Sequence, residues 1–94
     1  MEIIRQNETF TIKDTTDMYE MSGSVSKEVN GSFHIHFSVN NTKGIRIGDS
    51  HYDKYADNEN VNFGVNCAEN VREELTVYSD SVVDSILKYF EVNN

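Results

Sequence analysis

The apolar residues of this chain change their spacing once, at Asn66, and that change restricts it to one kind of architecture. Before Asn66 they recur at every second position, and after it they step by three and four. The first spacing lines one face of a pleated strand, the second one stripe of a helix. Strands followed by one helix bury both apolar surfaces by laying the helix across one face of an antiparallel sheet. The expected fold is therefore α+β and two-layered: a β-meander of about four or five strands over residues 1–66, then one C-terminal amphipathic helix over 67–91. A length of 94 residues leaves room for one such domain.

Within the strand region, Ile3-Ile4 and Phe10-x-Ile12 mark two short strands, the second closed by the turn cluster Asp14-Thr15-Thr16-Asp17. Tyr19, Met21, Gly23, Val25 and Val29 alternate with polar residues, with Lys27 as the exception. Phe33, Ile35, Phe37 and Val39 then alternate with His34, His36, Ser38 and Asn40. Between these strands lies Asn30-Gly31, a hairpin signal. A two-residue loop would set the apolar row of one strand against the polar row of the other. A three-residue loop, Asn30-Gly31-Ser32 with Gly31 left-handed in a bulge, pairs Val29 with Phe33 and Val25 with Phe37, and keeps one apolar face. Asn40 to Gly44 form a second turn, and Ile45 and Ile47 begin a strand that Gly48 ends or kinks. Asp49 to Asn60 show no sustained period and read as a long exposed loop, and Val61, Phe63 and Val65 form a last strand.

Asn66 and Glu69 have the form of a capping box, and Ala68, Val71, Leu75, Tyr78, Val82, Ile86 and Phe90 make the apolar stripe beyond it. The β-branched stretch Leu75-Thr76-Val77-Tyr78 leaves two alternatives to one helix: a new helix capped at Ser79 or Asp80, or a strand over 75–78. A single helix is the preferred reading.

Charge narrows the function. Sixteen Asp and Glu against eight Lys and Arg give a formal charge of −8, which repels nucleic-acid phosphate and anionic lipid and favours neutral or basic partners. The bases Arg5, Lys13, Lys27, Lys43, Arg46, Lys54, Arg72 and Lys88 are dispersed, so direct nucleic-acid binding is excluded. Cys67 is the only cysteine, which rules out a disulfide framework and a thiolate zinc site. Placed in the first turn of the expected helix, it is either a thiol activated by the helix dipole or a small buried filler. The first twelve residues hold no apolar signal core and no window approaches a membrane span, so a cytoplasmic setting is expected.

On the outside of the expected helix Glu69, Glu73, Val77, Asp80 and Asp84 fall in one row that only Lys88 closes with opposite charge. Acid pairs four apart each cost about 0.2–0.5 kcal/mol on an isolated helix. The dipole accounts for Glu69 and Glu73 but not for Asp80 and Asp84. Asp49, Asp53, Asp57 and Glu59 add a second acidic segment, with Tyr52 and Tyr55 as aromatic anchors, and the two segments are expected to form one negative surface. His34 and His36 share a strand face and His51 stands between Asp49 and Asp53, which together compose a weaker, metal-ligating set. No EF-hand loop, phosphate loop, nucleophile elbow or Glu-x-x-His pair is present, and Ser24 and Ser26 beside the histidines lack an oxyanion donor.

These residues imply a non-enzymatic, cofactor-free, acidic protein-binding module that presents Asp49, Tyr52, Asp53, Tyr55, Asp57, Glu59, Asp80 and Asp84 to a basic partner such as a nucleic-acid-binding enzyme. The profile is similar in type to phage-encoded inhibitors of host defence nucleases such as anti-CRISPR proteins, whose likeness implies phosphate mimicry and carries over no particular residue. The rival readings are a small-ligand or metal-dependent module built on His34, His36, His51, Asp49 and Asp53, and an accessory domain that completes a homo-oligomer.

Overall fold

The computed structural model describes residues 1–4 and 6–92, so Arg5, one of the dispersed bases, lies outside the described residues. Five strands, β1 (Glu8–Thr15), β2 (Tyr19–Lys27), β3 (Phe33–Asn41), β4 (Arg46–Lys54) and β5 (Val61–Cys67), pair antiparallel in sequence order. A 3₁₀ turn, Glu69–Val71, leads into α1 (Arg72–Val92), which packs on one face of the sheet. This is the two-layer α+β fold that the change of period requires. No described helix is long and apolar enough to cross a membrane.

The core forms where the two apolar surfaces meet. From the sheet come Tyr19, Met21, Val25, Ile35, Phe37 and Val39, and from the helix Leu75, Val82 and Val83. Val25, Ile35, Val39 and Leu75 have no exposed surface. Toward the end of the helix Phe90 sits edge-on between Phe10 (5.0 Å) and Phe33 (5.4 Å), with the Lys27 ammonium over its ring. Nearer its start the Tyr78 hydroxyl donates to Asp14 at 2.8 Å, tying the helix to β1. Burial and the Asp14 carboxylate both push the Tyr78 phenol well above its ordinary range.

Several expectations need correction. Ile3 and Ile4 are exposed and form no strand, and β1 begins at Glu8. The β2–β3 loop does have three residues and a left-handed Gly31 (φ +96°), but they are Val29-Asn30-Gly31. The Glu28 amide donates to the Ser32 carbonyl, closing the hairpin two residues away from the expected register, so that Lys27 faces Phe33 and Val25 faces Ile35. A slip of two preserves the face of every side chain, which is why the apolar rows still coincide. Val29 is spent in the turn. The β3–β4 hairpin repeats the design with Gly44 (φ +79°), and the Asn41 side chain accepts from the amides of Lys43 and Ile45.

The stretch 49–54 is strand, not loop, and Gly48 lies inside β4. A bulge at Ile47, opposite Val39 and Asn40, shifts the register there. Cys67 ends β5, and the expected capping box is absent because Asn66 is still paired in the sheet, opposite Asp49. Ala68 takes the cap position with no side-chain hydrogen bond. Residues 75–78 are helical and continuous with the rest of α1, so neither a strand nor a second helix forms there. Ser79 is wholly buried and shares a 2.7 Å hydrogen bond with Ser50 of β4, which satisfies both hydroxyls inside the core.

Candidate functional site

With one side of the sheet against the helix, the other side is free of any packed layer among the described residues. Its rows are polar: Ser22, Ser24 and Ser26 on β2, His34, His36 and Ser38 on β3, Asp49, His51 and Asp53 on β4. Alternation sets this face, because Val25, Ile35 and Phe37 must point to the helix. His34 lies directly opposite Asp53 and His36 opposite His51.

At the centre of this face two imidazoles meet one carboxylate. Asp53 Oδ1 is 2.6 Å from His34 Nδ1 and 3.2 Å from His36 Nε2, and Asp53 is only 8% exposed. Glu28 reaches the far nitrogen of His34, with Oε1 at 3.2 Å from Nε2, and the Tyr55 ring stands edge-on to His34 at 5.2 Å. His51 lies beside His36, their ring centroids 6.2 Å apart. Gly64 faces His51 across β4 and β5, and a Cβ there would come within 2.5 Å of the ring.

Burial pushes the Asp53 carboxyl upward, but the hydrogen bonds and charges of His34 and His36 outweigh it and hold the group below its ordinary value of 3.8. A depressed carboxylate stabilises the fold above the unfolded value, and that contribution is lost as pH falls through the folded one. Thermal unfolding followed by circular dichroism should therefore show wild type losing stability below about pH 4. Asp53→Asn should be less stable than wild type at neutral pH, with the gap narrowing in acid; a constant gap would contradict this account.

The residues expected to make one acidic surface occupy different places. Asp49 and Asp53 lie on the open face of the sheet, Asp49 bridged to Arg46 at 2.7 Å and Asp53 held by the histidines. Tyr52 points the other way and is half-buried against the core, so it is no surface anchor. Tyr55, Asp57 and Glu59 are exposed in the six-residue loop 55–60 that joins β4 to β5. Asp80 and Asp84 lie on the solvent side of α1, on the opposite face of the molecule from the histidines.

The C-terminal helical segment carries the largest continuous share of the negative charge. Residues 69–92 hold six acids (Glu69, Glu73, Glu74, Asp80, Asp84, Glu91) and two bases (Arg72, Lys88), a balance of −4 and half of the chain's −8. All eight are exposed. Glu69 of the 3₁₀ turn bridges Arg72 at 3.3 Å and Asp84 bridges Lys88 at 2.9 Å, so both cations are engaged by nearby carboxylates of the same segment. In the middle of the acidic row Val77 is 68% exposed, and Met18 on the β1–β2 turn is 58% exposed; both line a shallow groove with Glu73 and Glu74. Met18 and Glu74 were not singled out by sequence reasoning. Glu74 falls outside the row of spacing four, and only the packing of the turn on the helix brings Met18 beside it.

Compared with protein-family models, with curated proteins and with solved structures, the chain matches none.

Proposed function

We propose that the protein is a non-catalytic binding module that offers the outer face of α1 to a basic partner. The observation that carries this reading is the set of five exposed carboxylates on α1, which with Glu69 of the preceding 3₁₀ turn and the two bases gives −4 of the chain's −8, around an apolar spot at Val77 and Met18. Exposed carboxylates spaced along a rigid rod can stand in for the phosphates of a nucleic acid in a positive cleft. Val77 and Met18 supply the desolvated centre that charge alone lacks. The partner class that fits is a nucleic-acid-binding enzyme, with a cytoplasmic defence nuclease as the first one to test.

The loop acids Asp57 and Glu59 serve as the internal control. Against a panel of purified guide-loaded defence nucleases, wild-type protein should bind at least one, and the affinity should fall at least tenfold between about 50 and 200 mM salt. Asp80→Lys with Asp84→Lys should abolish that binding, whereas Asp57→Lys with Glu59→Lys should leave most of it. Equal affinity of wild type and the helix variant, both folded by circular dichroism, rejects the reading.

A further inference from the structure

We propose that His34, His36 and Asp53 form a binding site for a divalent transition-metal ion of the zinc class. The site lies on the open face of the sheet, away from the helix surface, and does not depend on the function proposed for that surface. One ligand atom from each of the three residues falls within 4.8 Å of the other two. Two ligand atoms each about 2.1 Å from a tetrahedral zinc ion stand about 3.4 Å apart. To admit an ion the 2.6 Å contact opens by about 0.8 Å and the 3.2 Å contact by about 0.2 Å, while the two imidazole nitrogens, within 4.8 Å of each other, rotate to a similar separation.

The count of donors and acceptors around His34 points the same way. A neutral imidazole carries one N–H and one bare nitrogen, and a carboxylate only accepts. Both nitrogens of His34 face carboxylate oxygens, Glu28 Oε1 on one side and Asp53 Oδ1 on the other. If the Nε2 hydrogen goes to Glu28, the bare Nδ1 is aimed at Asp53, lone pair against lone pair. With one ring proton His34 can donate to only one of its two carboxylates, so the other contact requires a further proton or a cation. A proton on the ring or on a carboxyl answers that one contact, whereas a divalent cation at the meeting point of Nδ1, His36 Nε2 and Asp53 satisfies all three groups together. Glu28 then plays the part of the outer carboxylate that fixes the tautomer and orientation of a ligating histidine.

The sheet holds this arrangement in place. His34 and His36 are two residues apart on one strand, and Asp53 is paired with His34 across the ladder, so all three stand on rigid backbone. The His36 side chain is 61% exposed, which leaves an entry path and an open coordination position for water or a further ligand. Two imidazoles and a carboxylate select ions that accept nitrogen, and disfavour calcium and magnesium, which require oxygen-rich shells.

Isothermal titration of the chelator-stripped, full-length protein with zinc chloride at neutral pH is the test. One ion per chain should bind, with release of protons as ligands lose them. His36→Ala, at an exposed position that spares the core, should abolish saturable binding while the circular dichroism spectrum stays that of wild type. Glu28→Gln should keep the site and weaken it by about 10- to 100-fold. His51→Ala should bind as wild type does. Absence of saturable binding by wild type at micromolar zinc overturns the proposal, and so does binding that survives His36→Ala.

Discussion

Gly23→Ala is expected to destabilise the protein by about 3 kcal/mol or more, at or beyond the upper end of overpacking costs, although it adds a single methyl group. Gly23 stands in the core-facing row of β2 between Met21 and Val25, directly opposite Phe37. A Cβ built there lies 2.0 Å from the His36 carbonyl oxygen and 2.5 Å from the Phe37 Cα. Both are backbone atoms of the central strand, so relief requires β2 and β3 to separate. For a domain of this size each kcal/mol moves the melting temperature by about 4–8 °C, giving an expected drop of roughly 12 °C or more. Gly64→Ala is the matched comparison. Its nearest contact, at 2.5 Å, is the Cε1 end of the His51 ring, which can swing toward solvent. The loss there should stay within about 1 kcal/mol, and thermal melts of the two variants that coincide would refute the distinction between backbone and side-chain neighbours.

Leu75→Ala should cost about 2–5 kcal/mol, the range for a leucine removed from a closed core. Leu75 has no exposed surface, and its Cδ2 lies 2.5 Å from where a Cβ on Gly48 would be. The leucine fills the notch left by the glycine, so its loss leaves a cavity under the first turns of α1 where few neighbours can collapse inward. Val77→Ala, two residues on and exposed, should change stability by no more than about 0.5 kcal/mol. Chemical denaturation of the two variants measures the difference. Similar values for both would mean that α1 does not pack through Leu75.

The same notch explains why part of the fold was hidden in the sequence. Strands β2, β3 and β5 and helix α1 announce themselves because large apolar residues mark their buried faces. In β4 the buried row is Gly48, Ser50 and Tyr52, small where the helix comes closest, with Leu75 over the glycine and Ser79 against the serine. Close approach replaced hydrophobic bulk, so the alternation that identifies a half-buried strand is missing and 49–54 reads as loop. The capping-box signature at Asn66 and Glu69 fails for a related reason: it is local to four residues, whereas the pairing of Asn66 with Asp49 is long-range.

The candidate sites were legible to different degrees. That His34 and His36 share a face follows from alternation alone. That Asp53 completes the group, and Asp49 does not, depends on the register of β4, which the missing alternation concealed. The helix acids were readable because their spacing is local to one element. The division of the acids between opposite sides of the molecule was not, since it depends on which face of the sheet the helix covers.

The order of elements also has a consequence for synthesis. Every strand pairs with the next in sequence, so the meander can close progressively as it leaves the ribosome. Its apolar face, with Val25, Ile35, Phe37 and Val39, has no cover until α1 has been made. At translation rates of about 5–20 residues per second, making residues 68–92 leaves a half-built molecule greasy on one side for roughly 1–5 s. That interval, before the acidic helix arrives, is when the nascent chain is most prone to aggregate or to be taken up by a chaperone.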